Sequence, residues 1–136
     1  TWISKKCLSS DYNLISCFIV FVNVFAKFGK SYVTINKKKT NTTTVIDEGL
    51  SHIPFILMLS ESEIDYFIKS SFTLLSRTLI YFKYASYSDI SSRLKKRGHK
   101  RVRNTKDFMF FLENHYRVQN EYYFLLIKNG LTCEKI

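Results

Sequence analysis

The longest apolar run in the chain, residues 14–26, constrains the fold more than any other feature of the sequence. Ser16 and Asn23 interrupt this run. It spans about thirteen residues, whereas a helix that crosses a membrane needs roughly twenty. We therefore predict no membrane span. We expect the large apolar side chains of the run to lie in the protein interior: Leu14, Phe18, Phe21 and Val22.

Start and stop signals divide the first part of the chain. Cap candidates at Ser10 and Asp11 and a glycine at position 29 predict a helix over residues 11–28. Its β-branched and aromatic centre, residues 18–22, would equally suit a buried strand. Alternation of side-chain types predicts a strand over residues 31–36. Asn41 or Thr42 would cap a short helix that ends near Gly49.

The second part of the chain predicts further helices and strands. Ser60 and Glu63 have capping-box spacing and indicate a helix that carries Ile64, Phe67, Ile68 and Leu74. The remaining expectations are a strand over 77–84, a loop-and-strand segment over 93–106, a short helix from Thr105 through Leu112, and a strand over 117–127 that turns at Asn129 and Gly130. We therefore predict an α+β fold.

Charge is segregated along the chain of 136 residues, which has a net charge of +10. Residues 1–43 carry seven basic and one acidic side chain, residues 44–92 carry three and six, and residues 93–136 carry eleven and four. Hydrophobic residues make up 46% of the sequence, too many for a disordered polycation. The two basic ends are therefore candidate surfaces for a polyanion, and the acidic middle is expected to face something else.

The densest basic segment, residues 93–106, holds eight Lys and Arg side chains and no acid. Such charges repel one another unless a polyanion neutralises them, as RNA phosphates do. Four of the six arginines of the chain lie between positions 93 and 103. Arginine presents a planar fork that grips phosphate oxygens, which lysine does not. The alternative is a solvated loop in a lysine-rich chain, and the same alternative applies to the weaker cluster at 37–39.

No residue set predicts catalysis or a metal site. The sequence has no Gly-x-Ser-x-Gly motif and no phosphate-binding glycine loop. Its cysteines and histidines are scattered, so neither zinc nor a disulfide framework is expected: Cys7, Cys17, Cys133, His52, His99 and His115. Several aromatic residues could stack on bases, although such residues more often pack in a core: Tyr32, Tyr116, Tyr122, Tyr123 and Phe124. We predict a protein that is not an enzyme and needs no cofactor.

The order of several short motifs resembles the family of the eighth protein of the small ribosomal subunit, in particular its divergent mitochondrial-encoded members. The matching segments are Leu14-Ile15-Ser16, Ile46-Asp47-Glu48-Gly49, Phe82-Lys83-Tyr84, Arg93-Leu94-Lys95-Lys96-Arg97-Gly98-His99-Lys100 and Lys128-Asn129-Gly130-Leu131-Thr132. Leu126 and Ile127 come just before the last segment, and Lys128 is its first residue. These three stand where the family has residues with hydroxyl groups. The stretch between Gly49 and Phe82 is longer than in the family.

The resemblance implies a structural constituent of the small subunit of a mitochondrial ribosome, located in the organellar matrix, that binds small-subunit rRNA. It implies an N-terminal α/β lobe, residues 1–76, with an inserted acidic middle, and a C-terminal basic β-rich lobe with a short helix, residues 77–136. Residues 50–76 would contact neighbouring ribosomal proteins. Together with the charge pattern, it predicts these RNA-binding residues: Lys27, Lys37, Lys38, Lys39, Arg93, Lys96, Arg97, Lys100, Arg101, Arg103, Lys128, Asn129 and Thr132.

Lys128, Asn129 and Thr132 would form an RNA contact at the C-terminal turn. The apolar residues just before this turn, Leu126 and Ile127, are then expected to point inward and anchor a strand.

A second class of function remains open from the sequence. The chain could be an accessory subunit of an organellar membrane protein complex. Residues 14–26 and 54–59 would then be buried against membrane subunits, and the basic ends would bind anionic lipid headgroups. No small-molecule substrate is expected for either function.

Overall fold

The computed structural model describes residues 14–37, 44–46, 49–83, 85–97 and 105–136. Within these ranges, helices make up 75% of the structure. In chain order the elements are α1 (Leu14–Asn36), a 3₁₀ turn (Leu50–His52), α2 (Ile53–Leu57), α3 (Glu61–Ser70), α4 (Phe72–Leu75), β1 (Ile80–Phe82), α5 (Tyr87–Arg97), α6 (Thr105–Lys128) and β2 (Cys133–Lys135). The protein is mostly helical, so the predicted α+β fold with a β-rich C-terminal lobe is wrong.

Helix α1 continues through the glycine that was expected to end it. Gly29 is exposed, and a glycine inside a helix costs only about 1 kcal/mol relative to alanine. Burial of an inner face outweighs that cost: Cys17, Val20, Val24 and Ser31 are all buried. The strand predicted over residues 31–36 is therefore wrong, because those residues form the last turns of α1.

The C-terminal end of α1 is fixed by an arginine from a distant part of the chain. The Arg77 guanidinium donates to the carbonyl oxygen of Ile35 and to Oδ1 of Asn36, both at 2.9 Å. Helix ends leave carbonyl groups without partners, and a cation there is favourable. Arg77 thus takes the place of a glycine stop signal.

The 3₁₀ turn and the short helix α2 follow α1 in the chain. The expected helix cap at Asn41 or Thr42 lies outside the described residues, and residues 44–46 belong to no helix or strand. The buried hydroxyl of Ser31 in α1 accepts a hydrogen bond from the Leu50 amide at 2.9 Å. Pro54 then stands in the first turn of α2, where its missing N–H costs nothing.

The capping box predicted at Ser60 is confirmed at the start of α3. The Ser60 amide donates to Oε2 of Glu63 at 2.8 Å. The apolar residues expected on this helix are buried on α3 and on α4, which follows it: Ile64, Phe67, Ile68 and Leu74. Acidic residues in the first turn of α3 also favour the helix dipole.

Helix α6 replaces two predicted elements. The short helix from Thr105 through Leu112 and the strand over 117–127 are parts of one helix of 24 residues. Its buried positions recur at helical spacing in the second half: Val118, Tyr122, Leu125 and Leu126. This single apolar face, buried against the core, outweighs the strand preference of the Tyr and Phe residues nearby.

The turn predicted at Asn129 and Gly130 is confirmed, but it ends a helix and not a strand. Gly130 has φ +71°. The Gly130 amide donates to the Ile127 carbonyl at 2.9 Å, and the Leu131 amide donates to the Leu126 carbonyl at 3.0 Å. These two bonds form a Schellman motif, which favours glycine at the left-handed position.

A two-stranded parallel sheet joins β1 to β2, with Ile80, Tyr81 and Phe82 opposite Cys133, Glu134 and Lys135. The strand predicted over residues 77–84 is thus confirmed only for its centre, 80–82. The amide of Ile136 extends the pairing by donating to the Phe82 carbonyl at 2.9 Å.

The core is centred on Tyr122 of α6, which is completely buried. Rings of Phe55, Phe67 and Phe82 meet it edge-on, with centroid distances of 6.4, 6.2 and 5.6 Å. Burial raises the pKa of its hydroxyl above the usual range. This core takes residues from both sides of position 76, and the division of the chain into residues 1–76 and 77–136 stays a prediction.

Candidate nucleic-acid interface

The basic segment begins on a helix that packs beside the N-terminal half of α6. The Ser86 hydroxyl accepts a hydrogen bond from the Asp89 amide at 3.1 Å and so caps α5. At the start of α5, the Tyr87 hydroxyl donates to Sδ of Met109 at 3.9 Å. Toward its end, Nζ of Lys95 lies 5.6 Å from the ring centroid of Phe108. These contacts hold α5 against α6.

The expectation of a loop and strand over residues 93–106 is wrong for both ends of that segment. Residues 93–97 form the last turns of α5, and residues 105 and 106 begin α6. The reason is that Ser86 caps the helix and that Arg, Leu and Lys are good helix formers. The remaining positions of the predicted site in this segment, Lys100, Arg101 and Arg103, lie outside the described residues.

Arg93 and Lys96 are exposed on α5. They share a helix face with Asp89 and Ser92, because positions three and four apart are neighbours on a helix. Neither Arg93 nor Lys96 forms an ion pair with another residue in the described ranges. Arg97 is the last residue of α5. This exposed face directs two cations away from the protein.

The lysines of the first basic region lie on and after α1. Lys27 is partly exposed within the helix, and Lys37 is exposed just beyond its end. Lys38 and Lys39 lie outside the described residues.

Asn129, one of the residues predicted to contact RNA at the C-terminal turn, forms hydrogen bonds within the protein. The side-chain amide of Asn129 donates to the Leu125 carbonyl at 2.8 Å and, less closely, to Oδ1 of Asp65 at 3.5 Å. A hydrogen bond from Lys69 holds the pKa of the Asp65 carboxyl below its usual value, with a smaller contribution from Asn129. Lys128 is exposed at this turn.

The residues around that turn divide between core and surface. The side chain of Thr132 is exposed, while its carbonyl accepts a hydrogen bond from the Ile80 amide at 3.2 Å. The prediction that Leu126 and Ile127 both point inward is right for Leu126 and wrong for Ile127. Ile127 is 52% exposed, because helical geometry turns adjacent residues to different faces.

The two predicted RNA contacts lie at opposite ends of α6. Lys95 of α5 meets α6 at Phe108, and Lys128 is the last residue of the same helix. Twenty residues of helix span about 30 Å at 1.5 Å per residue. The C-terminal turn is therefore a second candidate contact, about one helix length from the end of α5.

Sequence reasoning missed an exposed apolar face on α1. Leu14, Phe18 and Val22, which were expected to be buried, are 80%, 67% and 47% exposed, and Phe21 is partly buried. The reason is that α1 is apolar on both faces, and the core covers only one of them. The signal was present in the sequence, since a helix that is apolar all round needs a partner on every side.

Helix α1, with 23 residues, is long and apolar enough to cross a membrane by length and composition alone. The residues after Ala26 continue the helix beyond the apolar run of residues 14–26, which by itself is too short to span. A mostly buried core helix of a soluble protein and a signal sequence near the N-terminus pass the same test. The absence of a membrane span therefore stays a prediction.

The described side chains offer few groups for chemistry. Among them, no three His, Cys, Asp or Glu residues group closely enough to hold a metal ion. Cys17 and Cys133 form no disulfide, and burial raises the pKa of the Cys133 thiol. Of the aromatic residues considered for base stacking, Tyr122 is in the core, Tyr116 and Tyr123 are partly buried, and Tyr32 and Phe124 are exposed.

No protein-family model, curated protein or solved structure matches this chain.

Proposed function

We propose that this protein is a structural, RNA-binding constituent of the small subunit of an organellar ribosome, and that it is not an enzyme. The basic segment that begins on α5 is the proposed contact with small-subunit rRNA. The proposal includes a location in the mitochondrial matrix and no small-molecule substrate.

The use of arginine in the fold is the observation that carries this proposal. Arg77 binds the end of α1, and Arg117 donates to the Leu59 carbonyl at 3.0 Å and pairs with Glu121. Both arginines outside the basic segment therefore hold the structure together. Arg93, in contrast, is exposed and has no partner in the described part of the chain.

The chemistry of the exposed cations suits a phosphate backbone. A guanidinium donates a planar pair of hydrogen bonds to phosphate oxygens, and a lysine adds a point charge. Arg93 and Lys96 stand on one exposed face, and the sequence continues with four more basic residues by position 103. Contacts to phosphates would position an RNA without reading its sequence.

Membership of the eighth-protein family is a separate proposal that depends on the motif string alone. The β-rich lobe that this resemblance implied does not form. The RNA contact on α5 is argued from exposed charge and does not depend on the family, whereas the small ribosomal subunit and the mitochondrial matrix are taken from the resemblance. Contacts with neighbouring ribosomal proteins through residues 50–76 would use exposed side chains such as Tyr66 and Phe72, since the apolar majority of that range lies in the core.

The alternative function, an accessory subunit of an organellar membrane complex, keeps only one of the two apolar surfaces that it was expected to use, the exposed face of residues 14–26. Pro54, Leu57 and Leu59 are buried within the core of this chain, so they do not face membrane subunits. Sedimentation of extracts in detergent separates the two functions. A ribosomal constituent migrates with the small subunit and leaves it at high salt, whereas a membrane subunit migrates with its own complex.

Charge reversal on α5 tests the RNA contact directly. We expect the double variant Arg93→Glu/Lys96→Glu to lower affinity for small-subunit rRNA about tenfold or more, and to reduce the salt dependence of binding by about two phosphate contacts. The matched control is the double reversal Lys30→Glu/Lys83→Glu, which changes the charge equally at two exposed sites on other parts of the fold, neither of them among the predicted RNA-binding residues.

Filter binding or fluorescence anisotropy over a range of salt concentrations gives both quantities. If the two double variants lose the same affinity, the effect is one of net charge, and α5 is not the contact. Unchanged affinity in the α5 variant would also contradict the proposal.

A further inference from the structure

We propose that the outer face of α1 binds the surface of an anionic lipid bilayer, with the helix lying in the plane of the membrane. The outer face is defined here by the exposed large apolar residues of α1: Leu14, Ile15, Phe18, Ile19, Val22, Phe25, Phe28, Tyr32 and Val33. This inference does not depend on the RNA contact, which uses another helix.

The outer face is continuous along the whole helix. Successive residues rotate by about 100° around a helix, so these positions fall within roughly half of its circumference. Buried Cys17, Val20, Val24 and Ser31 fall on the opposite side. Exposed apolar patches of this extent are typical of sites that bind a partner or a membrane.

The packing of α1 favours a helix that lies on the bilayer over one that crosses it. The 3₁₀ turn, α2 and α4 all pack against α1. A spanning orientation would carry these elements and their polar connections into the hydrocarbon, where polar backbone groups without partners are costly. A helix in the interface needs only one apolar face inserted to a depth of about 5–10 Å.

The charges on α1 distinguish an anionic lipid surface from a second copy of this chain. Helix α1 contains no Asp or Glu. Lys30 is exposed at one border of the outer face, Lys27 is partly exposed further toward the inner side, and Lys37 is exposed just beyond the end. Lysine side chains at the border and end of an apolar helix face extend toward lipid headgroups and attract an anionic membrane surface. A second copy that used the same face would bring lysines and no acidic side chain to it, so the charges on α1 favour an anionic bilayer.

Vesicle co-sedimentation of the purified full chain, without RNA, tests this inference. We expect binding to vesicles of phosphatidylcholine that contain phosphatidylglycerol or cardiolipin, and much weaker binding to phosphatidylcholine alone. The variant Phe18→Gln/Phe25→Gln should lower the partition coefficient tenfold or more, because it removes two large side chains from the outer face.

The matched control is Phe110→Gln/Phe124→Gln, which removes two equally exposed phenylalanines from α6. It should bind within about twofold of the unchanged protein. Circular dichroism establishes that each variant keeps the helical content of the parent. Because the α1 and α5 variants are measured on different ligands, failure of either proposal leaves the other one standing.

Four results would overturn the inference. The first is no vesicle binding by the unchanged protein, as expected if another part of the chain covers the outer face. The second is equal loss in the α1 and α6 variants. The third is resistance to extraction by alkaline carbonate, which indicates a spanning helix. The fourth is a dimer in analytical ultracentrifugation that Phe18→Gln/Phe25→Gln abolishes, which assigns the face to a second copy.

Discussion

Gly49 occupies a position where the surrounding atoms leave no room for a side chain. A Cβ atom there would lie 2.7 Å from Cγ2 of Ile46 and 3.0 Å from the Ser31 hydroxyl. That hydroxyl already accepts the Leu50 amide inside the core. The close approach of α1 to the start of the 3₁₀ turn therefore depends on the absence of one methyl group.

We expect Gly49→Ala to lower the free energy of unfolding by about 1–3 kcal/mol, because overpacking forces the Ile46 and Ser31 side chains to move. The matched control is Gly29→Ala, where a Cβ atom meets nothing within 4 Å. It should raise the free energy of unfolding by about 0.5–1 kcal/mol, since alanine is the better helix former. Urea denaturation measures both, and equal effects of the same sign would contradict this account.

For helices and strands, short polar motifs predicted the structure correctly, whereas amino-acid composition did not. The Ser60 capping box and the turn at Asn129 and Gly130 could be predicted because each depends on a few adjacent residues. The end of α1 could not, since it is fixed by Arg77, which lies 41 residues from Asn36. The second half of α6 resembles a strand in composition, because it is rich in Tyr and Phe, and only its helical spacing of buried positions indicates the helix that forms.

The candidate site also has a part that could be predicted from the sequence and a part that could not. Exposure of Arg93 and Lys96 follows from charge, which the sequence displays directly. The sequence shows that α1 is apolar all round, but which of its faces stays exposed could not be predicted, because that depends on the elements that pack against it.

Strand β1 offers a test of how one element is anchored. Phe82 is buried and its ring meets the rings of Tyr122 and Tyr123 edge-on, whereas the adjacent Tyr81 is 55% exposed. We expect Phe82→Ala to cost about 3–5 kcal/mol of stability. Tyr81→Ala should cost about 0.5 kcal/mol or less. Thermal unfolding followed by circular dichroism measures the pair, and similar losses would mean that β1 does not present alternate faces to core and solvent.

Across the whole molecule, repulsion among like charges opposes folding. The net charge is +10, while ion pairs of the described residues such as Asp65–Lys69 and Arg117–Glu121 join neighbours on single helices and contribute little. Net charge of this size destabilises the compact state, and salt screens it. Binding a polyanion would relieve the same repulsion.

We therefore expect the midpoint of thermal unfolding to rise by about 2–5 °C between low ionic strength and about 0.15 M NaCl. The rise should be smaller in Arg93→Glu/Lys96→Glu, because exchanging two cations for two anions removes much of the net positive charge. A midpoint that falls as salt is added would show that attractive ion pairs outweigh repulsion. Differential scanning calorimetry makes the measurement.

Because β1 pairs with β2, one strand of the sheet is synthesised well before the other. The two strands run parallel, and α5 and α6 lie between them in the chain. Ile80 and Phe82 are therefore synthesised 53 residues before their partners, Cys133 and Lys135. Until residue 135 is free, β1 presents an apolar edge to the solvent, where a chaperone or another nascent chain has the first opportunity to bind. Closing that edge is a late event in folding, because a long segment must be ordered before the two strands meet.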